Sequence, residues 1–472
     1  MAIRGRDLNM GREGLYSISE NFLVRKEFFG GIVHSRLNGE RYEISDSVAL
    51  LLSAINHGLN LTDASNVACQ VSGESHEKTD IDNLIKNKII TSTPNRNQPN
   101  NDTSNLIETV RSKLLMELQE SKKRNYLRAP INISLFPTMK CQLSCEFCFV
   151  TDEKWDIKEI QSIHSWGRLI EEAKECGVPF ISILGGEPTL YPGLVALIRK
   201  AEQEKIKTTF TSNGLQCPGE VIEALENSEW VTPVISIQSL DLFNKSTMGV
   251  APSKALSTLA KLRKRDINCR VNAVYSGQSE RELVELIHLC EALGVEKLSL
   301  GHYLNLKNPL NSPSFTQSRK IYEYLSSVTA SLKIEFQLEG CLIYSAYPEI
   351  NATPSGIYEQ LLFGCEAGNG RCEVMANGTL LPCSALRVEN WGGLDVFKCG
   401  LQYSWDNSNT LKKIRNGKTN DSTCASCKFG GFCNGGCPAV NEIVHGVAFG
   451  QGDERCNMKN NGDRKISFRH ID

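Results

Sequence analysis

Residues 140–148 read KCQLSCEFC, so three cysteines, Cys141, Cys145 and Cys148, stand in one short loop. The loop directly follows residues 132–137, an apolar segment that is predicted to be a strand. A four-iron cluster held by three thiolates keeps one iron free for a small chelating ligand. Zinc is the alternative, but a structural zinc site needs a fourth ligand that the loop lacks. The stretch therefore predicts a reactive iron-sulfur centre at the end of a strand.

Strand and helix patterns alternate regularly around this loop. Strands are predicted at 132–137, 180–184, 206–211, 234–237, 269–274 and 297–300, with helical patterns such as 165–175, 193–204, 253–264 and 280–293 between them. Six such units predict an α/β fold, a partial (β/α)6 parallel barrel over residues 129–320. Sites on barrels lie at the mouth formed by the carboxyl ends of the strands, which is where the loop stands.

The triplet in this setting resembles the radical S-adenosylmethionine (SAM) superfamily, whose signature is CxxxCxxC with an aromatic residue, here Phe147, before the last cysteine. The resemblance implies that SAM chelates the open iron of a 4Fe-4S cluster and that the backbone near Phe147 borders the adenine. It implies further SAM contacts at the ends of later strands, namely Gly185, Gly186, Glu187, Pro188, Ser212, Asn213, Ser236, Gln238 and Asn272.

Three of these positions need comment. Glu187 lies in a segment that resembles the family's GGEP motif, which is assigned to the methionine amino group. Gln238 stands where the family pattern usually has Asp, so it can form hydrogen bonds but cannot act as a base. Asn272 is equally well interpreted as an ordinary polar residue at a strand end.

A second group of cysteines lies within residues 340–462. Its spacing is Cys365-x12-Gly378-x4-Cys383, then Cys424-x2-Cys427-x5-Cys433-x3-Cys437 and finally Cys456, with Cys372 as an additional thiol between the first two. This spacing resembles the SPASM domain of radical peptide maturases. The resemblance implies two auxiliary 4Fe-4S clusters, which brings the total to three. One would be held by Cys365, Cys372, Cys383 and Cys437, and the other by Cys424, Cys427, Cys433 and Cys456. Full thiolate ligation favours electron transfer and structural support. Two zinc ribbons are the alternative for this region.

The composition excludes several classes of protein. The 472 residues have a formal net charge of -2, which offers no general attraction to nucleic acid, and no apolar run is long enough to span a membrane. Eighteen cysteines in such a chain favour metal ligation in a reducing cytoplasm over disulfides. The seven cysteines outside the two groups are interpreted as small buried apolar residues: Cys69, Cys176, Cys217, Cys269, Cys290, Cys341 and Cys399.

Residues 15–92 form a winged-helix-like pattern of an apolar strand, a hairpin turn at Asn38-Gly39 and three helices, the first capped by Ser45 or Asp46. The pattern resembles PqqD-related domains that recognise the leaders of ribosomally made peptides, and this implies a precursor peptide as partner. A DNA-binding winged helix is the alternative. Residues 93–128 are predicted to be a polar linker and a helix.

Together these features predict a sactisynthase-like maturase that forms an intramolecular thioether or carbon-carbon cross-link in a precursor peptide. A flavodoxin or ferredoxin would supply electrons. The alternatives are formylglycine formation in a sulfatase and a redox-sensing iron-sulfur protein. No catalytic base can be named, and neither the peptide nor the residues that are joined follow from the sequence.

Overall fold

The computed structural model of the chain describes residues 15–37, 39–93, 103–150, 156–158, 161–339, 357, 365–427, 429 and 433–456. Their contacts form two compact units. The first ends at Arg128 and the second begins at Ala129, except that Ile357 groups with the first. No helix in the described part of the chain has both the length and the apolar composition needed to cross a membrane.

Two small antiparallel sheets belong to the first unit. One has the order β2-β3-β4 and the other pairs β1 with β5. The strands are β1 (Tyr16–Ile18), β2 (Phe22–Glu27), β3 (Gly30–Ser35), β4 (Arg41–Ile44) and β5 (Ile90–Ser92). The predicted hairpin joins β3 to β4; Gly39 has a φ of 75°, whereas Asn38 lies outside the described residues. A Cβ atom at Gly30 would lie 2.1 Å from the carbonyl oxygen of Ile44, so this close strand approach requires glycine.

Helices cover these sheets: α1 (Asp46–Asn56), α2 (Leu61–Ser72), α3 (Lys78–Lys86) and α4 (Thr103–Lys122). Ser45, one of the two predicted caps, caps α1 by accepting a hydrogen bond from the Val48 N–H. The sequence groups α4 with a linker, but Val110 and Leu114 of α4 are buried in the core of this unit. The first unit therefore includes this helix.

The second unit is built on one sheet of the order β12-β11-β10-β9-β8-β7-β6-β13-β14, in which only the β13–β14 pair is antiparallel. The predicted α/β fold with a partial parallel barrel is confirmed. Strands β6 to β11 match the six predicted strands, whereas β12 to β14 were not predicted. The strands are β6 (Asn132–Leu135), β7 (Phe180–Ile183), β8 (Lys207–Ser212), β9 (Val231–Ser236), β10 (Arg270–Tyr275), β11 (Lys297–His302), β12 (Glu335–Glu339), β13 (Arg371–Val374) and β14 (Leu380–Leu381).

Helices follow the barrel strands: α5 (Ile163–Glu175), α6 (Leu194–Glu204), α7 (Gly219–Glu226), α8 (Leu242–Met248), α9 (Ser253–Lys264), α10 (Glu280–Ala292) and α11 (Phe315–Thr329). Side chains alternate between the two faces of the sheet. Ile133 and Ile181 are in register on the apolar face, which the helices cover. Asn132 and Ser182 form a hydrogen bond on the other face, here called the inner face.

The cysteine-rich region was predicted to be a separate domain at 340–462, but its strand β13 pairs directly with β6 and so extends the barrel sheet. Its helices are α12 (Leu401–Asn407), α13 (Asn409–Asn416) and α14 (Pro438–His445), with short helical segments at Val388–Trp391, Val396–Cys399 and Ser422–Ala425. Trp391 and Trp405 are both fully buried. Apolar packing therefore contributes to this region in addition to any metal.

Candidate metal and cofactor site

The cysteine triplet occupies the loop after β6, and hydrogen bonds fix the middle of this loop. The N–H of Glu146 donates to the carbonyl oxygen of Thr247 at 2.8 Å, and the Tyr303 hydroxyl donates to the Glu146 carbonyl oxygen at 3.2 Å. Thr247 lies in α8 and Tyr303 directly follows β11. Distant parts of the barrel therefore hold the loop at the carboxyl ends of the strands.

The three thiols of the triplet are partly exposed and lie within electrostatic reach of one another. Burial raises the pKa of Cys141, and it raises the pKa of Cys145 to about 12, with further contributions from the charges of Cys148 and Cys141. Bound metal reverses this preference because its positive charge favours the thiolate. Among the described residues, no three Cys, His, Asp or Glu side chains already stand in a metal-holding arrangement. The fit to a cluster rests on donor type, spacing and proximity.

The turn after β7 lies directly against the backbone that leads into the triplet. The N–H of Gly186 donates to the Thr138 carbonyl oxygen at 2.9 Å, and the N–H of Glu187 donates to the Lys140 carbonyl oxygen at 2.7 Å. A Cβ atom would lie 2.3 Å from the Thr138 oxygen at Gly185 and 2.2 Å from the Lys140 oxygen at Gly186. Only glycine allows this contact between the two loops.

Glu187 connects the same turn to the loop after β8. Its carboxylate is buried and accepts hydrogen bonds from the Thr189 N–H at 3.0 Å, the Thr189 hydroxyl at 2.7 Å and the Asn213 N–H at 2.8 Å. A carboxylate has about four acceptor positions. One position therefore remains for an ammonium group, and Pro188 is buried beside it at the start of a 3-10 turn.

The loop after β8 offers a donor to a ligand. The Ser212 hydroxyl accepts from the Gly214 N–H at 3.0 Å, which shapes the turn. Asn213 is 8% exposed, and its Oδ1 accepts from the Leu215 N–H at 3.0 Å and from Gln142 Nε2 at 3.4 Å. Its Nδ2 is buried without a hydrogen-bond partner in the protein. Such an orphaned donor at the barrel mouth fits a site for a polar cofactor.

The structure brings Ser236 and Asn272 together, because they are register partners on β9 and β10 and share the inner face. Gln238 is placed differently. It is completely buried, and its Oε1 accepts a hydrogen bond from the Val274 N–H at 2.7 Å. Its observed contacts join the end of β9 to β10. Phe147 is partly buried within the triplet loop.

Cys424, Cys427 and Cys456 all lie close enough to Cys433 for their charges to affect its pKa. Burial raises the pKa of Cys433 to about 12, followed by the charge of Cys456, and the charges of Cys424 and Cys427 also contribute. Residues 428 and 430–432, between two of these cysteines, lie outside the described residues. The thiols of these four predicted ligands therefore lie in one group.

The other predicted set is not brought together in the same way. Cys383 and Cys437 belong to one apolar core that also contains Trp391. The Cys437 N–H donates to Asp453 at 3.2 Å, which fixes the start of α14. Cys372, in contrast, is fully buried within β13, and burial raises the pKa of its thiol above the usual range.

Two carboxylates on the inner face were not found from the sequence. Glu339 at the end of β12 accepts a hydrogen bond from the Ser299 hydroxyl at 2.7 Å. Glu373 on β13 is in register with Ser134 and is 1% exposed, and its Oε2 has no hydrogen-bond partner in the protein. The alternation in EFQLE at 335–339 was the available signal for the first, and nothing comparable marked the second.

The isolated cysteines agree only in part with their interpretation as buried apolar residues. Cys269 and Cys290 are buried, and Cys69, Cys176 and Cys217 are partly buried. Cys399 is exposed, so the interpretation is wrong there. Cys399 is the last residue of the short helical segment Val396–Cys399 and faces solvent. Cys341 lies outside the described residues.

The cysteine loop and the loops that pack on it lie within a segment that matches the model of a known family. Residues 135–290 match the family model described as "Radical SAM superfamily". This segment is a radical SAM domain, and the protein is an enzyme. Over 93% of its length it superposes on SuiB of Streptococcus suis bound to S-adenosylmethionine, with a TM-score of 0.81, 28% sequence identity and 100% coverage of that chain. A structure of SuiB bound to its precursor peptide SuiA gives a TM-score of 0.80, with coverage of 94% of this chain and 100% of that one.

Curated relatives extend the likeness to further peptide maturases. The mycofactocin maturase MftC of Mycolicibacterium smegmatis is 24% identical over 345 residues, which are 70% of this chain and 83% of that protein. The PqqA peptide cyclase of Rhodopseudomonas palustris is 25% identical over 324 residues, which are 65% of this chain and 82% of that protein. The chain is thus homologous to several maturases of peptides.

Proposed function

We propose that this enzyme forms an intramolecular cross-link, a thioether or a carbon-carbon bond, in a ribosomally made precursor peptide. The observation that carries the proposal is the match to SuiB over nearly the whole of both chains, since that protein has been observed with its precursor peptide. The arrangement of the cysteine triplet, the glycine turn and Asn213 at one barrel mouth agrees with this chemistry.

The proposal includes S-adenosylmethionine and three 4Fe-4S clusters. Cys141, Cys145 and Cys148 would hold the cluster that binds the cofactor, and Glu187, Asn213, Ser236 and Asn272 would contact the cofactor itself. A second cluster would be held by Cys424, Cys427, Cys433 and Cys456, and a third by the group that contains Cys383. The bound groups would supply one-electron cleavage of the sulfonium and an acceptor for the electron released when the cross-link closes.

The residues of the chain have defined tasks in this proposal. Glu187 orients the loops after β7 and β8 through its three hydrogen bonds and keeps one acceptor position for the methionine amine. The Asn213 amide can donate to the cofactor through Nδ2. The half-buried inner face beside Ser236 and Asn272 would exclude bulk water from the reacting carbon.

The first unit is proposed to recognise the leader of the precursor peptide by strand addition. Within the part of the chain that the structure describes, strand β4 pairs only with β3. The N–H of Ser35 donates to the Glu40 carbonyl oxygen, so the alternating antiparallel pattern turns the N–H and C=O groups of Arg41 and Glu43 away from β3. An extended peptide could pair with these outward groups.

A proline substitution tests this edge. Glu43→Pro removes an N–H that points away from β3, so the β3–β4 pairing is kept. We expect weaker binding of the precursor peptide than for the matched control Glu43→Ala, which keeps the N–H. Equal affinities of the two variants, measured by fluorescence anisotropy of labelled peptide, would argue against docking at β4.

The catalytic proposal is tested with anaerobically reconstituted enzyme, dithionite, S-adenosylmethionine and the short peptide encoded nearest to the enzyme. We expect 5′-deoxyadenosine and a peptide product that has lost a pair of hydrogen atoms, both measured by mass spectrometry. Cofactor cleavage with peptides that never lose this mass would overturn the cross-linking function. In cells, a flavodoxin or ferredoxin in a reducing cytoplasm would take the place of dithionite.

A further inference from the structure

Two of the cysteines predicted to hold the third cluster, Cys372 and Cys383, lie on opposite sides of β13. Arg371 and Glu373 are register partners of Asn132 and Ser134, so their side chains share the inner face. Cys372 stands between them in the strand and is the register partner of Ile133. Side chains of adjacent residues in a strand point to opposite faces, so the Cys372 thiol is directed towards the apolar face with Ile133.

The Cys383 thiol is found on the opposite side of the strand. A guanidinium nitrogen of Arg371, Nη2, lies 3.6 Å from the Cys383 sulfur and also 3.6 Å from a carboxylate oxygen of Glu373. A contact with both groups places the guanidinium, and therefore Cys383, on the inner side of β13. Cys383 also packs against the apolar core that contains Cys437.

The exposed fraction of the residue also distinguishes Cys372 from the other ten predicted ligands. A four-iron cluster is larger than a water molecule, so a ligand thiol must have at least that much room beside it. Nine of the ten are partly exposed, and Cys437 retains 8%. Cys372 retains 0%, which leaves no space of that size beside it.

We propose that the third cluster is held by three protein thiolates, those of Cys365, Cys383 and Cys437, and that one of its irons takes a ligand other than cysteine. Cys372 is a core residue of the sheet that joins the cysteine-rich region to the barrel. This inference rests on the proposed three clusters but not on the cross-linking reaction. It replaces the eight-thiolate arrangement that the resemblance to the SPASM domain implied.

Iron content tests the ligand set without an activity measurement. Reconstituted full-length enzyme should bind about twelve irons per chain, and Cys372→Ala should bind as many as the wild type. Cys383→Ala is the matched control and should lose about four irons. Cys372→Val, which keeps more of the buried volume, decides the matter if the alanine variant fails to fold by circular dichroism. Loss of iron from the folded valine variant to the level of Cys383→Ala would overturn the proposal.

Cyanide, a small iron ligand, tests the non-cysteine position directly. The probe is added to the reduced variant in which Cys141, Cys145 and Cys148 are all alanine, because only the auxiliary clusters remain there. We expect a change in their electron paramagnetic resonance signal, and the same change when Cys372→Ala is added. An unchanged signal would overturn the proposal that one iron of the third cluster has an exchangeable ligand other than cysteine. Because neither measurement uses the peptide, failure of the cross-linking function would not affect the result.

Discussion

Replacement of Gly186 by alanine should separate the two loops that form the cofactor site. The added Cβ atom would lie 2.2 Å from the Lys140 carbonyl oxygen, whereas non-bonded atoms favour separations of about 3.5 Å. The Lys140 carbonyl would have to move by roughly 1 Å, which would break the 2.7 Å hydrogen bond from the Glu187 N–H. Overpacking of this kind costs about 1–3 kcal/mol of stability. Lys140 directly precedes Cys141, so the displacement passes into the cluster loop.

The expected result is a folded enzyme that cleaves the cofactor about a hundredfold more slowly, since a 1 Å misplacement of reacting groups has this effect. The rate of 5′-deoxyadenosine formation is measured together with iron content under anaerobic conditions. Gly167→Ala is the control, because a Cβ atom there meets nothing closer than 3.9 Å. Wild-type rates for Gly186→Ala would refute the argument that this close contact between loops positions the site.

Three further predictions concern other parts of the molecule. Replacing Cys141, Cys145 and Cys148 together by alanine should abolish cofactor cleavage and remove about four irons per chain; measurable cleavage by this variant would contradict the assigned site. Glu187→Gln should weaken cofactor binding by about tenfold to a hundredfold, measured by anaerobic calorimetry. The reason is that an amide cannot accept all three hydrogen bonds, and a lost bond to a charged group is worth about 1.5–3 kcal/mol. An unchanged Kd would contradict this prediction. Burial, together with the charges of Arg25 and Arg41, lowers the pKa of His34 to about 2. Below about pH 6.5 the unfolded chain therefore binds a proton at His34 that the folded chain does not bind. The first unit should therefore lose about 2 kcal/mol of stability as the pH falls from 7.5 to 5, measured as faster hydrogen exchange of the backbone amides of residues 22–35. His34→Leu should remove this pH dependence. The same pH dependence in that variant would assign it to another group.

The barrel could be predicted because its signals are local. Strands β6 to β11 each show a short apolar pattern followed by a helical one, and these periods are visible in any window of the sequence. The cysteine triplet could be placed for the same reason, since it directly follows β6. Strand β12 was missed because three of its five residues, as in EFQLE, are exposed and charged or polar.

Long-range pairing explains the remaining differences. Strand β13 is four residues long, and its partner β6 lies about half the chain away in sequence. Spacing alone does not distinguish a core cysteine in such a strand from a cluster ligand, so Cys372 was grouped with Cys365 and Cys383. The hydrogen bonds of Glu187 could not be predicted either. A GGEP sequence suggests a ligand contact, but it does not show that the carboxylate also joins two loops.

The pairing of β13 with β6 also has a consequence for synthesis of the protein. The first barrel strand emerges from the ribosome long before the strand that completes its edge, and an uncovered parallel strand invites pairing with other chains. The edge of β6 in the nascent barrel therefore stays unpaired until translation has passed Val374. Truncation before this point should yield aggregates, and chaperones that shield strand edges should raise the yield of the full-length protein.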